Sequence, residues 1–134
     1  MNRKLIIRLG AILLLLGVVL GAFASHGLKA QLSTEQLTSF QTGVRYQFIH
    51  GIALLWLGIV SEKLISTKWV SRAAWAFLVG TIFFSGSIYL LTTRSITGLE
   101  AGAILGPTTP IGGILYILGW LAVILGTFPG RRSI

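Results

Sequence analysis

The sequence predicts an all-α membrane protein, a compact antiparallel four-helix transmembrane bundle with both termini cytoplasmic, and three observations carry that expectation. First, 54% of its 134 residues are hydrophobic and only 10% charged, with a mean hydropathy of +0.85, well outside the balance of a soluble domain. Second, apolar runs of spanning length recur along the chain, so that spans are expected at about 5–24, 42–60, 73–91 and 110–128 of a single domain. Third, the basic residues between those runs are unequally shared. Arg3, Lys4, Arg8, Lys63, Lys68, Arg72, Arg131 and Arg132 fall on one side, and only Lys29, Arg45 and Arg94 on the other. An excess of eight against three places the first group in the cytoplasm by the positive-inside rule. The net charge of +8 is therefore read as a topology signal: it forms no stripe of the kind that binds nucleic acid. The absence of cysteine excludes disulfides and thiolate metal sites.

Taken in order, Arg3, Lys4 and Arg8 precede the first apolar run, which becomes long enough to span when Leu5 to Ile7 are counted. A rival reading is a signal peptide, because Ala22-Phe23-Ala24 has the A-x-A form of a cleavage site. Ser25 to Gln36 is a polar connection in which Ser33 and Gln36 have the spacing of a capping box. Leu37, Phe40, Val44 and Phe48 then recur at helical spacing, so an outer amphipathic extension over 34–41 runs unbroken into the second span. From Thr34 to Val60 such a helix is about 40 Å long, more than the roughly 30 Å of hydrocarbon, and its first turns stand outside.

Ser61 to Arg72 is a short basic loop, with Trp69 and Trp75 placed as interface anchors. Ala73 to Leu91 forms the third span, and residues 95–106 form a loop, an interfacial turn or a shallow re-entrant piece. Thr109 and Pro110 read as the cap and first position of the last helix, which Pro129-Gly130 stops. Small residues recur every seven positions in each span, as in Gly10, Gly17 and Ala24 or Gly112, Gly119 and Gly126. One small face per helix lets backbones approach in lipid. Gly17 and Gly21 also form a GxxxG pair, for which packing within the chain is preferred over an oligomer contact.

The candidate functional residues are the polar side chains carried into apolar surroundings: Arg45, Gln47, His50, Glu100, His26 and Arg94. Arg45 either snorkels to the headgroups or pairs with a carboxylate, for which Glu100 is the best placed. His50 lies about 140° around the helix from Arg45, so the two do not form one site. With Gln47 it shares the small-residue seam, where a neutral imidazole bonded to a neighbouring helix is expected ahead of a proton relay or ligand. His26 stands at the outer end of the first span. A metal site from His26, His50 and Glu100 is disfavoured by their different depths and by the lack of an i, i+4 ligand pair, and no cofactor is expected.

Four words of this sequence carry a family resemblance: GAFASHGLK (Gly21 to Lys29), FQTGVRYQFIHGIALL (Phe40 to Leu55), FFSGSIYLL (Phe83 to Leu91) and LGPTTPIGGILYILGW (Leu105 to Trp120). Nearly end to end, the chain resembles the domain-of-unknown-function family number 423, small four-span membrane proteins of bacteria with eukaryotic relatives. Ala24-Ser25 stands where Gly-Ala is expected, and Thr92-Thr93-Arg94 is more polar than the family's apolar continuation. The resemblance implies a fold and a membrane location and transfers no activity.

No nucleophile and base, carboxylate pair or metal set is legible, so an enzyme is not expected. Acidic residues are absent from spans one, three and four, which disfavours a transport pathway. The expectation is a structural, accessory or interaction protein of the cell membrane, multi-pass, with the lipid bilayer and a larger membrane complex or homo-oligomer as partners and no nucleic acid. The alternative is binding or transport of a small molecule or lipid through an outer-leaflet pocket near Arg45 and His50.

Overall fold

The computed structural model describes residues 1–128 and is all-helical among them. Helix α1 (Arg3–Phe23) starts at Asn2, whose side chain accepts a hydrogen bond from the Leu5 amide at 2.7 Å, and it continues without interruption through a π-helical segment, Ala24–Leu28. The Ala22-Phe23-Ala24 tripeptide thus lies within a helical run, with Ala24 fully buried against Phe40 and Val44. Helix α2 (Thr34–Ile59) opens with both halves of the capping box, Ser33 Oγ accepting from the Gln36 amide and Gln36 Oε1 accepting from the Ser33 amide. Such reciprocal bonds satisfy two amides that a helix start otherwise leaves free.

Helix α3 (Thr67–Thr81) passes through a second π-helical segment, Ile82–Gly86, into α4 (Ser87–Thr92). A four-residue turn, α5 (Arg94–Thr97), ends at Gly98, whose φ of 68° is the left-handed conformation that glycine adopts without strain. Helix α6 (Gly102–Gly126) follows after four residues outside any helix, 98–101. The expected cap at Thr109 is corrected here, since α6 begins eight residues earlier at Gly102 and contains Pro107 and Pro110 in its interior. Each proline removes one amide from the ladder, leaving the Ala103 and Gly106 carbonyls without the donor four residues on, while Thr108 Oγ1 donates to the adjacent Leu105 carbonyl at 2.7 Å. Thr109 meets Ser87 Oγ at 2.6 Å and ties α6 to α4. The expected Pro129-Gly130 stop and the Arg131-Arg132 pair lie outside the described residues.

The glycine seams set the packing. At the α1/α2 contact, a Cβ on Gly10 would stand 2.9 Å from the Gly51 carbonyl, and one on Gly17 3.1 Å from the Phe48 ring, while Gly58 lies against Ile7. Positions rising along α1 meet positions falling along α2, so the pair is antiparallel. Gly17 and Gly21 face Phe48 and Val44, which uses the GxxxG pair inside the chain. The second pair is built alike: Gly80 meets Tyr116, Gly112 meets Phe84, Gly119 meets Phe77 and Gly126 meets Trp69, so α6 runs antiparallel to α3 and α4. Helix α2 joins the pairs, with Gly43 against Tyr89 and Ile88. Among the described residues α1 and α6 form no packed pair, and α2 meets α6 through aromatic side chains. Backbones close up where glycines face each other and are held apart where Tyr46, Tyr116 and Trp120 intervene.

Arg3 fastens the end opposite the capping box. Its Nη1 donates to the Val60 carbonyl and to that of Leu57 at 3.3 Å, and its Nη2 lies 3.8 Å from Glu62 Oε1. A cation on the last carbonyls of α2 satisfies acceptors that the helix cannot. Arg3→Gln is expected to lower stability by about 1 kcal/mol, read as a shift in reversible unfolding in mixed micelles.

Candidate functional site

Helix α2 brings His50 into the interior, 3% exposed, where it meets residues of α3 and α6. The Tyr116 ring stacks on the imidazole at a centroid distance of 3.4 Å and an interplanar angle of 3°, and Phe77 and Trp120 close the sides. Nδ1 lies 2.9 Å from the Tyr46 carbonyl one turn earlier, and Trp120 Nε1 donates to Nε2 across 3.2 Å. An indole N–H only donates, so Nε2 must accept, and the proton of the neutral ring sits on Nδ1 and points at the Tyr46 carbonyl. Both ring nitrogens are thereby engaged. Tyr116 donates in turn to Thr81 Oγ1 at 3.1 Å, so the chain of contacts reaches α3.

Gln47, 4% exposed and three residues before His50, serves other neighbours. Its Nε2 donates to the Leu13 carbonyl on α1 at 2.8 Å, and its Oε1 accepts from the Tyr89 hydroxyl on α4 at 2.8 Å. Ser85, in the π-helical segment, donates to the Gly43 carbonyl at 2.8 Å. Side-chain hydrogen bonds between membrane helices average about 0.6 kcal/mol. Gln47→Leu keeps most of the volume and removes two such bonds, so a loss of about 1 kcal/mol is expected in the same unfolding measurement.

The remaining candidates lie apart from this interior. Arg45 and Glu100 are both exposed, and the expected ion pair between them is not formed: among the described residues the one ion pair is Arg3 with Glu62. The two share an end of the molecule, but Glu100 lies in the segment between α5 and α6, while Arg45 sits on the outward stripe of α2. Arg94 reaches over the start of α6, its Nη1 3.4 Å from where a side chain on Gly102 would stand. His26 is exposed in the first π-helical segment, and Ser25 beside it donates to the Gly21 carbonyl. Among the described residues no three His, Cys, Asp or Glu side chains gather where they could hold a metal. A groove of about 450 Å³ opens beside His50, walled by Tyr46 and Phe84 on one side and by Pro110, Gly113 and Ile117 of α6 on the other. Tyr116 and Trp120, the partners of His50, did not figure among the candidates; the signal available was two polar-tipped aromatics at i, i+4 on an otherwise apolar helix.

Three helical runs, Arg3–Leu28, Thr67–Thr92 and Gly102–Gly126, are long and apolar enough to cross a membrane. The family described as protein of unknown function (DUF423) matches residues 20–113. The chain belongs to this family. It is 41% identical over 126 residues to a UPF0382 membrane protein of Staphylococcus haemolyticus, covering 93% of this chain and 96% of the relative. The UPF0382 membrane protein YwdK of Bacillus subtilis is 37% identical over 122 residues, or 91% and 94% of the two chains. No solved structure matches. These relatives are named membrane proteins, and with three helices long and apolar enough to cross, the chain is a multi-pass membrane protein.

Proposed function

We propose that the chain is an accessory or interaction protein of the cell membrane, a four-span antiparallel bundle with both termini cytoplasmic, whose intramembrane polar residues serve as fastenings. One observation carries this reading: the two buried polar side chains of α2 are engaged inside the protein, His50 by Tyr46 and Trp120, Gln47 by Leu13 and Tyr89. Among the described residues the sole buried side-chain nitrogen or oxygen without a hydrogen bond is Arg3 Nη2, beside Glu62. A transport pathway or catalytic site keeps polar groups free to meet its substrate, and among the described residues no other buried side-chain nitrogen or oxygen is left free.

The crossing of α2 is supported by its pairing with α1. Helix α2 is 26 residues long but carries Arg45, Gln47 and His50, and so is less apolar than the other three runs. Contacts from Val44 to Gly58 nonetheless hold it alongside α1, with Gln47 bonded to α1 and α4 and His50 to α6. A helix fastened along a spanning neighbour spans with it. Purification in native lipid, followed by mass analysis of the intact assembly, tests the functional reading. A stoichiometric protein partner is expected; a copurifying solute with no partner, or turnover of a lipid or peptide, overturns it. A C-terminal reporter active only outside the cell overturns the topology.

A further inference from the structure

We propose that the cleft between α2 and α6 binds one anionic phospholipid from the leaflet at the Arg45 end, its phosphate on the Arg45 guanidinium and one acyl chain along the cleft. The inference rests on the reading of α2 as a span. Arg45, Ile49, Ile52 and Trp56 recur at i, i+4, i+7 and i+11, which makes them one exposed stripe on α2. Below Arg45 that stripe borders an apolar groove of about 500 Å³, closed on the α6 side by Trp120 and Val123. Trp120 also borders the groove beside His50. From Arg45 to Trp56 the stripe is about 16 Å long, close to one leaflet's half of the roughly 30 Å hydrocarbon core. An acyl chain of ordinary length fits it.

The charge identifies the occupant. Arg45 is the sole lysine or arginine of α2, and the one ion pair among the described residues is made elsewhere. With Val60 at one boundary, twenty residues cover the hydrocarbon back to Phe40, so Arg45 lies about 7 Å inside the opposite boundary. A charge at that depth needs an anion or water, and side chains on a helix tilt toward its N-terminus, which here is the nearer headgroup layer. The anion of that layer is a lipid phosphate. A zwitterionic lipid brings its own cation beside the phosphate, whereas an anionic lipid leaves the negative charge for the guanidinium.

Trp56 reports on the cleft. The full chain is reconstituted in phosphatidylcholine vesicles, a minor fraction of whose lipid is brominated on the acyl chain, either as phosphatidylglycerol or as phosphatidylcholine. The Trp56 share of the fluorescence quenching is taken by difference from Trp56→Phe. Brominated phosphatidylglycerol is expected to quench Trp56 more than brominated phosphatidylcholine at equal mole fraction. Arg45→Gln should weaken that preference about fivefold, the equivalent of about 1 kcal/mol for one basic group at an anionic surface. Arg45→Lys should keep it, as should Lys63→Gln in the loop at the other end of the helix. Equal quenching by the two lipids means a general lipid annulus and overturns the proposal, as does a preference that survives Arg45→Gln. No quenching by either lipid overturns it in favour of a cleft covered by a second copy or a partner helix, or of a helix that does not span.

Discussion

His50→Ala is expected to lower the free energy of unfolding by about 3 kcal/mol, more than any other single truncation of a polar side chain in this protein. Two losses combine. The imidazole fills the space between Tyr116, Phe77 and Trp120, and removing a packed ring leaves a cavity that close-packed helices fill only partly. The Trp120 N–H also loses its acceptor in surroundings with no water to replace it. A double-mutant cycle with Trp120→Phe separates the two, because the hydrogen bond alone should couple by about 0.6 kcal/mol and the rest is packing. A total loss below about 1 kcal/mol would remove His50 from the list of fastenings.

Gly112→Ala is expected to cost about 3 kcal/mol, although it adds a single methyl group to a helix that alanine favours. The added Cβ would collide with the Phe84 amide nitrogen and stand 2.8 Å from its Cα, so the obstacle is backbone and cannot turn aside as a rotamer would. Relief requires α6 to move away from the second π-helical segment, which would also strain the Ser87 to Thr109 contact. The neighbouring Gly113→Ala is the control. Its Cβ would meet the Phe84 ring at 3.9 Å, an ordinary contact, and no loss of stability is expected. Equal behaviour of the two variants in reversible unfolding would show that close approach at Gly112 is not what holds α6 in place.

Legibility differed from one residue to the next. Ser33 and Gln36 announced a helix start because a capping box is made by residues three apart on one chain. Thr109 and Pro110 have equally good cap spacing, yet the helix runs through them, since proline is tolerated inside membrane helices. For Arg45 and Glu100 the sequence supplied opposite charges at one end of the molecule but not the direction in which either points, and in the fold both are exposed and unconnected. For His50 the interior position followed from helical spacing, while its partners on α6, about 70 residues away, did not.

What the sequence determined by itself is the membrane class, the family, and the residues that lipid would make costly. Hydropathy and capping are set by neighbours in the chain and by the solvent, so they can be read one segment at a time. Only the tertiary structure decided that α1 pairs with α2 and that α6 pairs with α3 and α4, that His50 is engaged by Tyr116 and Trp120, and that a cleft stays open between α2 and α6. The physical reason lies in the solvent: lipid is as apolar as the helix faces it surrounds, so hydrophobic periodicity does not mark which face turns inward. That choice falls to the fit of glycine against backbone and of aromatic ring against ring, and those contacts exist only once the helices are side by side.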